Sequence, residues 1–181
     1  MNGKVHATAG IVFGMGAIFF LHSFPNQNIF PVEYDTFCSH KIFENLLVGD
    51  VVYGGAVLAS SWFGSLLPDI DHPTSSASKK FSILSIPYRS LQFIVGKFKA
   101  TKHFVGHRGI THSLIFLAIP IILMCLSFEN QWLKICLLGT SVGILSHLIM
   151  DMLTPMGVPL FLPLSRRKYR LLPKKFCIKT R

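Results

Sequence analysis

Charge is what this sequence has least of. Only 14% of its 181 residues are Asp, Glu, Lys or Arg, and just eight are acidic. A soluble domain usually carries about a quarter, so a chain this poor in charge, and half apolar, is not built to be surrounded by water. Cysteine is scarce as well. Cys38, Cys125, Cys136 and Cys177 stand apart with no C-x-x-C among them, which excludes a disulfide framework and a thiolate-ligated zinc site.

What the chain does hold is apolar runs: Val5 to Phe24, Leu46 to Leu67, Ile110 to Phe128 and Trp132 to Leu153. Each approaches the ~20 residues that a helix needs to cross a bilayer. The expectation is an all-α polytopic membrane protein forming a single membrane-embedded domain over 1–181, with four transmembrane helices at about 5–24, 46–67, 110–128 and 132–153. Small residues at helix-packing spacing support it: Gly10 and Gly14, extended by Gly16, then Gly54, Gly55, Ser60 and Ser61, then Gly139 and Gly143.

Between 74 and 109 basic residues (Lys79, Lys80, Arg89, Lys97, Lys99, Lys102, Arg108) alternate with large apolar ones over a stretch broken by Pro87. That mixture predicts interfacial amphipathic helices lying on an anionic lipid surface. A second basic stretch is the tail, 165–181. With four spans the N-terminus, the loop after the second run and the tail share one side and hold 16 of the 18 Lys and Arg, leaving Lys41 and Lys134 for the other. Basic residues in short loops mark the cytoplasmic side, so both termini are expected there. Topology then accounts for the net charge of +10, and no nucleic-acid partner is expected.

On this topology the His and Asp residues sort to one membrane face. His6 opens the first run, Asp69 and Asp71 follow the second, His107 and His112 introduce the third, and His147 and Asp151 close the fourth. His147 and Asp151 are one helical turn apart, where an imidazole and a carboxylate can grip one cation. Ionisable groups at the hydrocarbon boundary are costly unless they pair, face a cavity or serve a function, and a divalent ion would neutralise the carboxylates. The donors exceed the needs of one tetrahedral zinc, so the pattern allows one to three ions. Each piece has a plainer reading alone: a hydrogen-bonded His147 and Asp151 pair, a turn capped by Thr111, a polar stop at Asp69 and Asp71. Their joint position argues for the metal. His22, His40 and His103 read as solvated or interfacial, and His72 as a reserve ligand.

The order of motifs, a His near the start, then L-L-P-D-I-D-H-P, H-R-G-I-T-H-S, S-H-L-I-M-D and a P-L-S-R-R-K-Y-R tail, resembles the YdjM family of bacterial inner-membrane, metal-dependent hydrolases. That family is distantly similar to zinc-dependent phospholipase C, whose all-helical site includes an H-x-x-x-D pair like His147 and Asp151. The resemblance covers nearly the whole chain. It implies metal roles for His6, Asp69, Asp71, His107, His112, His147 and Asp151, zinc as the ion, the bacterial inner membrane as the location and hydrolysis as the reaction class. The expected substrate is a phosphoester in a membrane phospholipid or a lipid-linked head group.

On that expectation the ion activates water, Asp69 or Asp71 is the general base, and Arg108, Arg166 and Arg167 can orient a phosphate through forked hydrogen bonds. Setting topology is the arginines' plainer role. A non-catalytic reading stands beside the hydrolase: a structural metal clamps the helix ends while the basic surface binds a cytoplasmic partner or anionic lipid. Ion transport is disfavoured, because the centres of the runs hold no ionisable residue.

Overall fold

A computed structural model describes residues 3–23, 46–72, 75–97, 108–126 and 130–178. They form six α-helices: α1 Gly3–Ser23, α2 Leu46–Leu66, α3 Ser76–Lys80, α4 Ser82–Gly96, α5 Leu114–Leu126 and α6 Gln131–Met152. Among the described residues β structure is confined to one isolated antiparallel bridge, Val158 with Tyr169. The described residues are all-α, as the apolar runs imply.

Helix α2 is central, packing on both α1 and α6, which also touch each other; α5 packs on α6. Missing side chains bring these helices together. A Cβ at Gly143 would run into the Ser61 carbonyl and the Ser65 amide, one at Gly139 into Ser60, and one at Gly10 into Ser61 and Ser65. Through the gap at Gly10, the Ser61 hydroxyl donates to the Gly10 carbonyl at 2.6 Å, a helix-to-helix bond of about 0.6–2 kcal/mol in an apolar surround. Gly16 and Gly55, expected on the same smooth faces, have open space where a Cβ would sit. Gly16 is two residues past Gly14, roughly 200° around the helix, so it cannot share that face.

Two described helices are long and apolar enough to cross a bilayer, α1 over Gly3–Phe20 and α6 over its full 22 residues. Large apolar side chains such as Val12, Phe19, Ile122 and Leu126 are exposed on the helices, an arrangement suited to lipid rather than water. The expected span at 110–128 needs correction at its start. Helix α5 has 13 residues, about 20 Å at 1.5 Å per residue, because Ile110–His112 forms a 3-10 turn. Ser113 is extended, and the Leu114 amide donates to the Leu160 carbonyl at 2.9 Å instead of to the preceding turn.

Pro68 ends α2 by opening a 3-10 turn, Leu67–Asp71. Leu66, Ile70 and Ala77 bury a small core under this turn, flanked by Trp62, Phe81 and Tyr88. The basic segment supplies α3 and α4, and α4 continues through Pro87 where a break was expected. Proline removes one backbone bond, to the carbonyl four residues back, and both Pro87 and Ile83 are exposed, so that carbonyl is open to other donors. After α6 the tail folds back. Val158 and Tyr169 exchange backbone bonds at 3.1 and 2.8 Å, and Leu171 and Ile178 donate to the carbonyls of Met152 and Leu153 at 3.1 and 3.0 Å.

Candidate metal centre

Where α1, the end of α2, the Ile110–His112 turn and the last turn of α6 meet, polar side chains are buried together. His112 and His147 are fully buried, His6 and Asp151 are 1% and 2% exposed, and the Asp69 side chain is 15% exposed. Donor atoms of Asp69 and Asp151 gather around those of His112 and His147. His112 Nε2 lies 3.3 Å from His147 Nε2, 3.5 Å from Asp151 Oδ2 and 3.9 Å from Asp69 Oδ1. His147 Nε2 lies 3.7 Å from Asp69 Oδ1 and 3.8 Å from Asp151 Oδ2. Ligands 2.0–2.1 Å from a tetrahedral zinc are spaced by about 3.3 Å; these five separations are at or somewhat above that, with Asp69 and Asp151 falling in different donor groups. The two imidazole planes cross at 70°, which lets both lone pairs point at one position.

The outer nitrogens are held as metal-binding imidazoles require. His147 Nδ1 donates to the Ser65 carbonyl at 2.6 Å, one of the end-of-helix acceptors that α2 leaves without an intrahelical partner. That bond keeps the Nε2 lone pair inward. For His112 the holding group is a relay: Thr111 Oγ1 donates to Asp71 Oδ2 at 3.1 Å and is 3.0 Å from His112 Nδ1, from which it can accept. Asp71 Oδ2 is itself 3.9 Å from His112 Nδ1 and also accepts from the Arg108 amide at 3.3 Å. Burial lifts the Asp69 carboxyl above its ordinary value of 3.8, with the His147 imidazole pulling the other way.

Arg108 sits against the cluster with a left-handed backbone, φ 60°. Its Nη2 donates to Asp151 Oδ1 at 3.0 Å, and its Nη1 donates to Thr154 Oγ1 at 3.1 Å and the Gly157 carbonyl at 3.0 Å. Of the three carboxylates, Asp151 bonds this guanidinium, Asp71 accepts from the Arg108 amide, and Asp69 is partly exposed. Acidic side chains gathered away from water are costly unless a cation joins them. Nitrogen and oxygen donors, burial, pinned outer nitrogens and gathered carboxylates together fit a zinc-type divalent cation.

A family model described as "YdjM inner membrane protein" matches residues 1–178. The chain belongs to the YdjM family. The Inner membrane protein YdjM of Escherichia coli (strain K12) is 37% identical over 117 residues, 64% of this chain and 53% of that protein. The protein of the same name from Shigella flexneri gives the same figures. The Uncharacterized protein YvsG of Bacillus subtilis (strain 168) is 33% identical over 109 residues, 60% of this chain and 58% of its own length. The chain therefore spans little more than half the length of the relatives it matches. No solved structure matches it.

Of the residues that the sequence nominates in this YdjM-family chain, His6, Asp69, His112, His147 and Asp151 meet at the centre, in two overlapping groups that share His147. Asp71 is adjacent, on the Nδ1 side of His112 and outside both groups. His107 lies outside the described residues. His72 is half-buried just past the Leu67–Asp71 turn and in neither group. Arg108 is 8% exposed, with Nη1 and Nη2 bonded to Thr154, Gly157 and Asp151 and Nε buried with no hydrogen-bond partner among the described residues. Arg166 and Arg167 are exposed on the tail, with Arg167 over the Tyr169 ring at 5.8 Å. Sequence reasoning missed Thr111 as a link to His112, Thr154 as a seat for Arg108 and the Ser65 carbonyl. Thr111 had one signal, its place beside His112; a backbone carbonyl had none.

Proposed function

We propose that this membrane protein is a metal-dependent hydrolase whose zinc-type centre lies at the cytoplasmic rim of four membrane-spanning helices and cleaves a phosphoester in a phospholipid or lipid-linked head group. The observation that carries the reading is the set of buried His112, His147 and Asp151 with partly exposed Asp69 beside them, the outer nitrogens of both imidazoles being pinned. His112, His147 and Asp151 would hold the ion, which when bound lowers the pKa of water toward neutrality and stabilises charge on phosphoryl oxygens. Asp69 makes the longest contact in the set, 3.9 Å, and is its most exposed member. It is therefore the carboxylate suited to accept a proton from water as general base. Asp71, engaged with Thr111 and the Arg108 amide, serves to orient His112.

Helix α4 supports a lipid substrate. Phe81 and Tyr88 pack toward the core under the Asp69-bearing turn, while Ile83, Ile86 and Phe93 on the opposite face are 86%, 60% and 70% exposed. Lys79, Lys80, Arg89 and Lys97 are exposed around them. An apolar stripe edged with lysine and arginine fits the anionic surface of a bilayer and would hold the centre at head-group depth. The basic-residue count favours the cytoplasmic side for both termini.

One observation favours the clamp reading. Four protein donors can close a tetrahedral zinc site, as structural sites do. The test is hydrolysis by detergent-purified, zinc-loaded protein. The hydrolase reading expects Asp69→Asn to keep its zinc and lose roughly 10²- to 10⁴-fold in turnover, and His112→Ala to lose both. A protein that cleaves no phospholipid, polyprenyl phosphate or simple phosphodiester, yet melts on chelation, is a clamp.

A further inference from the structure

His6 comes to the centre from α1, its Nε2 3.5 Å from Asp151 Oδ1, and its donor atom lies within 4.8 Å of those of His147 and Asp151. Distance alone makes it a ligand. Ring geometry does not. The His6 and His147 rings are stacked, centroids 3.8 Å apart and planes only 16° off parallel. A nitrogen lone pair lies in its ring plane, and an ion about 2.0–2.1 Å from two imidazole nitrogens must lie close to both planes. Crossing rings meet that condition, as His112 and His147 do at 70°; stacked rings do not. His6 also lacks the outer support that the other two imidazoles have, since its Nδ1 is buried with no hydrogen-bond partner among the described residues.

His6 could instead bind a second ion, bridged to the first by Asp151 through its other oxygen. That oxygen already carries a cation. Arg108 Nη2 donates to Asp151 Oδ1 at 3.0 Å, and the guanidinium is braced by Thr154 and Gly157 on a backbone held at φ 60°. Charge agrees: a divalent ion at Asp151 Oδ1 would stand against the guanidinium already bonded there, an unfavourable pair of cations in a buried cluster.

Resting on the metal-centre reading, we propose that the centre takes one divalent ion, and that the Arg108 guanidinium stands at Asp151 Oδ1 where a two-ion site would hold its second. Arg108 is then a positioning residue that keeps Asp151 monodentate, and His6 packs on His147 without ligating. The probe is zinc alone, counted per chain by elemental analysis of detergent-purified full-length protein after loading and desalting. The wild type is expected to hold one ion, Arg108→Lys one, and His6→Ala one. Arg108→Ala opens Asp151 Oδ1 and is expected to hold two, falling back to one in Arg108→Ala/His6→Ala. Two ions in the wild type, loss of the ion in His6→Ala, or a folded Arg108→Ala that still holds one would each overturn the proposal. If Arg108→Ala does not fold, the wild-type and His6→Ala counts decide. A wild type that binds none, with unchanged melting on zinc addition, defeats the metal-centre reading itself and is told apart by that result.

Discussion

Thr111→Val isolates the relay behind His112. Thr111 is 2% exposed, and its hydroxyl joins Asp71 Oδ2 at 3.1 Å to His112 Nδ1 at 3.0 Å. Valine keeps nearly the same volume and removes only the hydroxyl, so His112 keeps its place in the chain but loses the group that fixes its tautomer and ring angle. Outer-shell partners of metal-binding histidines are worth roughly 10- to 100-fold in metal affinity, about 1.4 to 2.8 kcal/mol. Asp71 would still accept from the Arg108 amide, which places the expected loss toward the lower end. A competition titration against a chromophoric zinc chelator in detergent reads it: weaker affinity for Thr111→Val at unchanged stoichiometry, and near wild-type affinity for Thr111→Ser, which restores the hydroxyl. Wild-type affinity in a folded Thr111→Val protein would refute the idea that this relay orients a ligand.

Other expectations follow from separate parts of the molecule. In metal-free protein the raised pKa of Asp69 means that its ionised form disfavours the fold, so melting temperature should rise as pH falls through that raised value; Asp69→Asn should flatten this rise. Gly143→Val drives a side chain into the backbone of α2 at Ser61 and Ser65, a rigid neighbour, and should cost about 3 kcal/mol or more while weakening zinc through the Ser65 carbonyl. Gly16→Ala, with open space at its Cβ, should leave melting within about 0.5 kcal/mol of wild type. Tryptophan placed at Ile86 or Phe93 should be quenched by brominated lipids in reconstituted anionic bilayers; no quenching would detach α4 from the membrane.

Much of the centre is readable in the sequence because helix periodicity reaches it. His147 and Asp151 share a face by spacing alone, and the one-sided sorting of His6, Asp69 and His112 depends only on where apolar runs start and stop. Spacing could not separate Asp69 from Asp71, since two residues in a 3-10 turn point in different directions and only the fold turns Asp71 toward Thr111. Nor could it show that Arg108 faces inward. That depends on one left-handed residue and on acceptors, Thr154 and Gly157, lying beyond the end of α6. The start of α5 was hidden for a similar reason: Leu114 bonds to Leu160, a partner 46 residues on, and hydropathy does not register that bond. Close packing by Gly10, Gly139 and Gly143 was legible, whereas the faces of Gly16 and Gly55 required helix phase.

The most direct test of the central claim is zinc-edge X-ray absorption on the purified, zinc-loaded protein. The account predicts about four nitrogen and oxygen neighbours near 2.0–2.1 Å, with the outer-shell scattering of two imidazoles, lost in a His112→Ala/His147→Ala double variant. A sulfur shell, an all-oxygen six-coordinate spectrum, or a spectrum unchanged in the double variant would contradict it.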